Sequence, residues 1–131
     1  MRLWIELHSD SMSFSVNGFS TIRISSTNVS QSRDWYCKLF EIEPIEEIEN
    51  FVSFKITGTY FDISAADSKS PTSTGGSVGY WLVDSLEEVI QKAIELGGVV
   101  YRGPLKVNEV QKTIVQIKDP IGNVIGFEAP F

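Results

Sequence analysis

Apolar positions along the chain follow two periods, one near 3.6 residues and one of 2, and their alternation lays out the elements. Val29, Ser32, Tyr36 and Leu39 recur at helical spacing, which predicts a helix over Val29–Phe40. Asn28 stands at its N-cap, and Gln31 completes a capping box. Leu86, Val89, Ile90, Ala93, Ile94 and Leu96 form a second stripe and predict a helix over Leu86–Leu96. Ser85 and Glu88 cap and box its start, and Gly97-Gly98 stop it. The period-2 segments predict strands over Ser20–Ser26, Phe51–Thr57, Thr59–Ala65, Val78–Val83, Lys112–Lys118 and Asn123–Glu128. Further strands are expected near Ile42–Ile48 and Val99–Arg102. Thr57-Gly58-Thr59 and Asp119-Pro120-Ile121-Gly122-Asn123 read as tight turns between neighbouring strands.

This order, strand, helix and three strands, occurs twice. Ser85 follows Asn28 by 57 residues, Glu88 follows Gln31 by 57, and Leu96 follows Leu39 by 57. The hairpin glycines Gly58 and Gly122 stand 64 apart, so the second half carries 7 more residues between helix and hairpin. The chain therefore reads as an α+β domain over 19–131, with modules at 19–65 and 77–129 joined by a linker at 66–76. The polar stretch Ala66–Ser77 offers no core residue and reads either as a flexible connector or as a lid over a pocket. Residues 1–18 form an N-terminal extension. In it Leu3, Ile5 and Leu7 alternate as an extra strand would, and Met12 resembles an alternative start.

Composition narrows the function. A chain of 131 residues builds one domain with a core of its own. Its 42% hydrophobic and 21% charged residues describe a soluble globular protein. Eleven basic against 17 acidic residues give a net charge of −6, and no basic run exists to meet a phosphate backbone, so no nucleic-acid partner is expected. No apolar stretch approaches the ~20 residues of a membrane span. Glu6 and His8 interrupt the apolar start that a signal peptide would need, so a cytoplasmic protein is expected. One cysteine and one histidine exclude an intrachain disulfide and a two-histidine metal site. Cys37 is expected to be a buried inert thiol, His8 a surface residue, and Trp35 and Tyr36 part of the core.

Several segments together resemble the vicinal-oxygen-chelate superfamily of glyoxalase I, bleomycin-resistance proteins and extradiol dioxygenases. They are Ser32-Arg33-Asp34-Trp35-Tyr36 on the first helix, Val83-Asp84-Ser85-Leu86-Glu87 at the second, then Leu96-Gly97-Gly98, Gly103-Pro104 and Asp119–Asn123. The likeness covers about Phe19 to Glu128. It implies two βαβββ modules whose curved mixed sheets surround a cavity, and commonly a homodimer.

The resemblance also implies a divalent metal held from four strand positions. Carried over one at a time, they fall on Thr21, Asp62, Val78 and Gly126. Only Asp62 keeps a ligand type, where a catalytic site normally has about three protein ligands. Glu128 shares the face of Gly126 and could join Asp62, in a pair better suited to magnesium or calcium than to zinc or nickel. The expectation is a protein without cofactor or metal. The alternative is a lyase, isomerase or dioxygenase with one divalent cation at Asp62 and Glu128.

Since the family's ligand positions face the cavity, alternation sends their i±2 neighbours there too. Arg23, Ser25, Tyr60, Asp62, Tyr80, Leu82, Gly126 and Glu128 are then the candidate ligand-binding residues. Ile22, Ile24, Phe61, Ile63, Trp81, Val83, Ile125 and Phe127 turn toward the helices. The inward set suits a small aromatic or anionic molecule. Arg23 either neutralises Asp62 or Glu128 or orients a ligand anion beside a tyrosine. Gly126 either enlarges the pocket or permits close packing. Arg23, Tyr60, Asp62, Tyr80 and Glu128 are expected around one cavity.

Overall fold

The computed structural model describes residues 14–131. The alternating segment Leu3–Leu7, His8 and Met12 lie outside the described residues; residues 14–18 carry no strand, and Phe14, Val16 and Phe19 are exposed.

Two βαβββ modules are present, as the repeat requires. The first comprises β1 (Thr21–Ser26), α1 (Val29–Phe40), β2 (Glu46–Ile48), β3 (Phe51–Ile56) and β4 (Thr59–Ala65). The second comprises β5 (Tyr80–Leu82), α2 (Leu86–Glu95), β6 (Val99–Val107), β7 (Lys112–Lys118) and β8 (Val124–Pro130). Each module makes a four-stranded sheet, in the order β1-β4-β3-β2 and β5-β8-β7-β6. In each the first strand runs parallel to the last and the remaining pairs are antiparallel.

Local chemistry sets the helix ends. The Asn28 side chain accepts a hydrogen bond from the Gln31 N–H at 3.0 Å, and the Ser85 hydroxyl accepts one from the Glu88 N–H at 3.3 Å. α1 stops at Glu41, whose left-handed backbone (φ 56) turns its N–H back to the Cys37 carbonyl. α2 ends one residue earlier than its apolar stripe suggests, with Leu96 as its cap.

The strands depart from expectation at the edges. β2 is confined to Glu46–Ile48; Pro44, without an N–H, cannot donate to a ladder. β5 starts at Tyr80, and β8 continues to Pro130. The largest difference is β6, which runs nine residues through Gly103-Pro104. Two register shifts absorb that dipeptide, between Val100 and Arg102 and between Arg102 and Leu105, and Gly103 adopts φ +84. An edge strand tolerates proline because one side of it needs no donors.

One core serves both modules. Phe61 of β4 packs edge-on to Trp81 of β5 at 5.8 Å, and Phe40 of α1 reaches Trp81 at 5.7 Å and Phe127 of β8 at 6.2 Å. Trp35 and Tyr36 are buried as expected, whereas Cys37 is half-buried rather than buried. Burial pushes the Cys37 thiol up, away from the reactive thiolate. Tyr36 crosses between modules: its hydroxyl donates to Asp119 at 2.5 Å, in the β7–β8 turn. The other Asp119 oxygen accepts the N–H groups of Ile121, Gly122 and Asn123. Trp35 Nε1 likewise donates to the Leu96 carbonyl at 2.9 Å, tying α1 to the end of α2.

Candidate functional site

The helix-facing positions read by alternation hold: Phe61, Ile63, Ile125 and Phe127 are buried, and Ile22, Ile24, Trp81 and Val83 pack against them. The opposite faces therefore carry Arg23, Ser25, Tyr60, Asp62, Tyr80, Leu82, Gly126 and Glu128. Strand register sorts these side chains into two rows, one on each sheet.

On the first sheet Arg23 of β1, Asp62 of β4 and Ser53 of β3 stand directly opposite one another. Arg23 Nη2 donates to Asp62 Oδ2 at 3.0 Å, and Ser53 Oγ donates to Asp62 Oδ1 at 2.5 Å. The Asp62 side chain is 7% exposed and that of Arg23 59%. The carboxylate is thus the buried anchor, and the guanidinium reaches into solvent while its carbon lies 5.8 Å from the centre of the Phe51 ring.

On the second sheet the equivalent row is Tyr80 of β5, Gly126 of β8 and Gln116 of β7. A Cβ built on Gly126 would come too close to Tyr80 Cδ1, a clash with the ring. The tyrosine ring therefore packs directly against the glycine, and Gln116 Nε2 donates to its hydroxyl at 2.7 Å. Of the two readings of Gly126, close packing is the one observed: the aromatic ring fills the space that a side chain would have taken. Farther along the strands, Lys112 Nζ donates to Glu128 at 3.0 Å.

A groove of about 560 Å³ runs where β1 faces β5. Its walls include Phe19, Thr21, Ile22, Arg23, Thr59, Val78, Tyr80 and Trp81. A smaller cavity of about 280 Å³ adjoins it, lined by Arg23, Ser25, Ser70, Pro71, Ser73, Thr74, Gly75, Ser77, Val78 and Asn123. Arg23, Ser77 and Val78 border both. The linker is thus held as one wall of a cavity. Thr72 Oγ1 donates to the Ser25 carbonyl at 3.0 Å, the Ser73 N–H donates to Asn123 Oδ1 at 3.2 Å, and Asn123 Nδ2 donates to the same Ser25 carbonyl at 2.7 Å.

The five residues expected around one cavity divide. Arg23 and Tyr80 line the groove, and Ser25 lines the smaller cavity with Arg23. Asp62 and Gly126 lie beneath Arg23 and Tyr80 as their supports. Tyr60 instead packs under the Lys55 ammonium, 5.7 Å from its ring centre, and Glu128 pairs with Lys112. Leu82, largely exposed, borders a separate depression with Phe40 and Val83. Sequence reading missed Ser53, Gln116 and Asn123. Alternation along β3 and β7 would have placed Ser53 and Gln116 on the open faces, but only strand register names their partners.

The residues do not fit the metal that the resemblance implies. Thr21, Val78 and Gly126 bring no anionic or imidazole donor, and both oxygens of Asp62 are engaged by Arg23 and Ser53. Glu128 is held by Lys112 on the other sheet. Among the described residues no three His, Cys, Asp or Glu side chains converge as a metal would need.

No family model matches the chain, and no curated protein does. Solved structures do. A glyoxalase/bleomycin resistance protein/dioxygenase family enzyme from Burkholderia phytofirmans PsJN superposes with a TM-score of 0.74 at 17% identity, over 86% of this chain and 98% of that one. A glyoxalase/bleomycin resistance protein from Albidiferax ferrireducens T118 gives 0.68 at 20% identity, over 85% and 98%. A glyoxalase/bleomycin resistance protein/dioxygenase from Nocardioides gives 0.68 at 13% identity, over 100% and 94%. No helix among the described residues is long and apolar enough to cross a membrane. With two βαβββ modules in matching order and register, the chain has the fold of the glyoxalase/bleomycin-resistance/dioxygenase proteins.

Proposed function

We propose that this protein binds a small aromatic or anionic molecule in the groove between β1 and β5, without a metal at the centre, to sequester or sense it. One observation carries the reading. The final metal-binding position that the resemblance implies falls on Gly126, and the Tyr80 ring packs against that glycine and is bonded by Gln116. That position is thus part of an aromatic wall, next to a guanidinium held by Asp62. Apolar walls with a few placed polar groups are the usual make-up of a small-molecule site. The protein acts as a homodimer in this reading. The edge strand β6 leaves Val99, Val100, Tyr101 and Leu105 exposed, a surface that a second copy would cover.

The test joins metal analysis to ligand screening. Protein purified without chelator and offered nickel, zinc, iron and manganese should retain far less than one equivalent of any of them. Aromatic carboxylates should raise its melting temperature, and Tyr80→Ala should abolish that rise. One tightly held equivalent of a transition metal overturns the reading, as does a ligand-induced rise that Tyr80→Ala leaves intact. Light scattering at micromolar concentration should give twice the chain mass.

A further inference from the structure

The hydroxyl-rich linker forms a second compartment beside the groove, and this geometry points to a ligand of two chemical parts. We infer that the cavity under Ser70–Ser77 is a subsite for an oxyanion head group, a carboxylate, sulfonate or phosphate, whose aromatic body lies in the groove against Tyr80. The inference rests on the groove being the binding site and adds what the adjoining cavity recognises.

Three observations support it. First, the two cavities differ in character and share a boundary. The groove sets Ile22, Tyr80 and Trp81 beside Thr21, Thr57 and Thr59; the smaller cavity is richer in polar groups, with Ser70, Ser73, Thr74, Ser77 and Asn123 beside Ile24, Pro71 and Val124, and Val78 borders both. Hydroxyl and amide groups with a flexible rotor are donors that an anion can use without a full countercharge. Second, the boundary residue is Arg23. Its single bond to Asp62 uses Nη2, one nitrogen of a fork with five N–H donors, and its side chain is 59% exposed. Asp62 neutralises the pair, so the subsite favours an anion through directed donors rather than through net positive charge. That matters in a chain of net charge −6, which would repel a free anion at long range. Third, the wall is held in place before any ligand arrives. Thr72 and Asn123 fasten it to the Ser25 carbonyl, and Asn123 also accepts from the Ser73 N–H. Asn123 belongs to the turn that Asp119 pins with three N–H bonds, so the wall is anchored to the core through Tyr36. A prefixed wall saves the ordering cost that a loose loop would pay on binding.

The two parts can be read separately with a pair of fluorescent probes that differ by one sulfonate: 8-anilinonaphthalene-1-sulfonate and the neutral N-phenyl-1-naphthylamine. Both should bind the full chain, and both should weaken in Tyr80→Ala. The sulfonate probe should bind roughly tenfold tighter than the neutral one, the size of one charge-assisted hydrogen bond. Arg23→Gln, at the boundary of the two cavities, should weaken the sulfonate probe about tenfold and the neutral probe much less, removing most of that preference. Thr74→Asp, on the linker wall and away from the groove, should reverse the preference by setting a carboxylate against the sulfonate. Unfolding midpoints of both variants confirm that they are folded, and Thr74→Asp alone suffices if Arg23→Gln is not. If both probes bind equally and Thr74→Asp changes nothing, the oxyanion subsite is wrong and the groove stands. If neither probe responds to Tyr80→Ala, the groove itself is wrong.

Discussion

The two modules share a backbone plan and differ in what they place at its centre. At matching positions of the two sheets, one carries Arg23–Asp62–Ser53 and the other Tyr80–Gly126–Gln116. The first row is a buried carboxylate satisfied by a guanidinium and a hydroxyl. The second is a neutral ring packed against a glycine and held by an amide. The helices differ in the same way. Tyr36 on α1 and Ala93, 57 residues later on α2, are both fully buried, one among the largest side chains in the core and the other among the smallest. A duplicated fold thus keeps its hydrogen-bond ladders and apolar faces, which the backbone demands, and lets the open face vary. The chemistry of a site built between such halves is set by the asymmetry between them, with charge on one side and an aromatic surface on the other.

The largest expected effect tests whether the halves are energetically separate. Phe61 belongs to the first module but packs on Trp81 of the second. Phe61→Ala should cost about 3–5 kcal/mol. Hydrogen exchange should show β4 and β8 losing protection together. Loss confined to the first sheet would mean that the modules unfold independently.

Next comes the Tyr36–Asp119 bond that joins the halves. Tyr36→Phe should cost about 1.5–3 kcal/mol, since the lost bond is to a charged group. The tyrosine also sets an alkaline limit. Burial, reinforced by the charge of Asp119 and the bond to it, holds its pKa well above 10.0. The folded state therefore keeps the proton that the unfolded state gives up. Stability from this group is complete below pH 10 and falls as pH rises past it. Unfolding midpoints from pH 8 to 11 should decline for the wild type, with a shallower decline in Tyr36→Phe.

Within the second row, Gly126→Ala should cost about 1–3 kcal/mol by forcing the Tyr80 ring off its seat. In a Tyr80→Ala background the same substitution should cost much less, and denaturant melts of the four proteins give the coupling directly. Additive effects would mean that the ring does not depend on the glycine. The smallest effect belongs to the first row. Asp62→Asn keeps a partner for Ser53 and loses only the pairing with the largely exposed Arg23, so it should cost about 1 kcal/mol or less. The same melts measure it, and a cost above that of Gly126→Ala would make the charged row the tighter of the two.

The sequence by itself determined the elements and the faces. Caps at Asn28 and Ser85, the two helical stripes and the period-2 strands are local signals, each carried by residues a few positions apart. Because the strand period is 2, one correct facing residue settles the whole strand, which is why Phe61, Ile63, Ile125 and Phe127 were legible as core. Tertiary structure decided what local pattern cannot encode. Strand register chose Ser53 and Gln116 as partners for Asp62 and Tyr80. Bulges carried β6 through Gly103-Pro104, which reads locally as an end. The linker, polar and without periodicity, became a cavity wall through bonds from Thr72 and Ser73 to Ser25 and Asn123, 47 and 50 residues away respectively. Contacts over such separations depend on how the two modules close on their shared core, and no window of sequence contains that information.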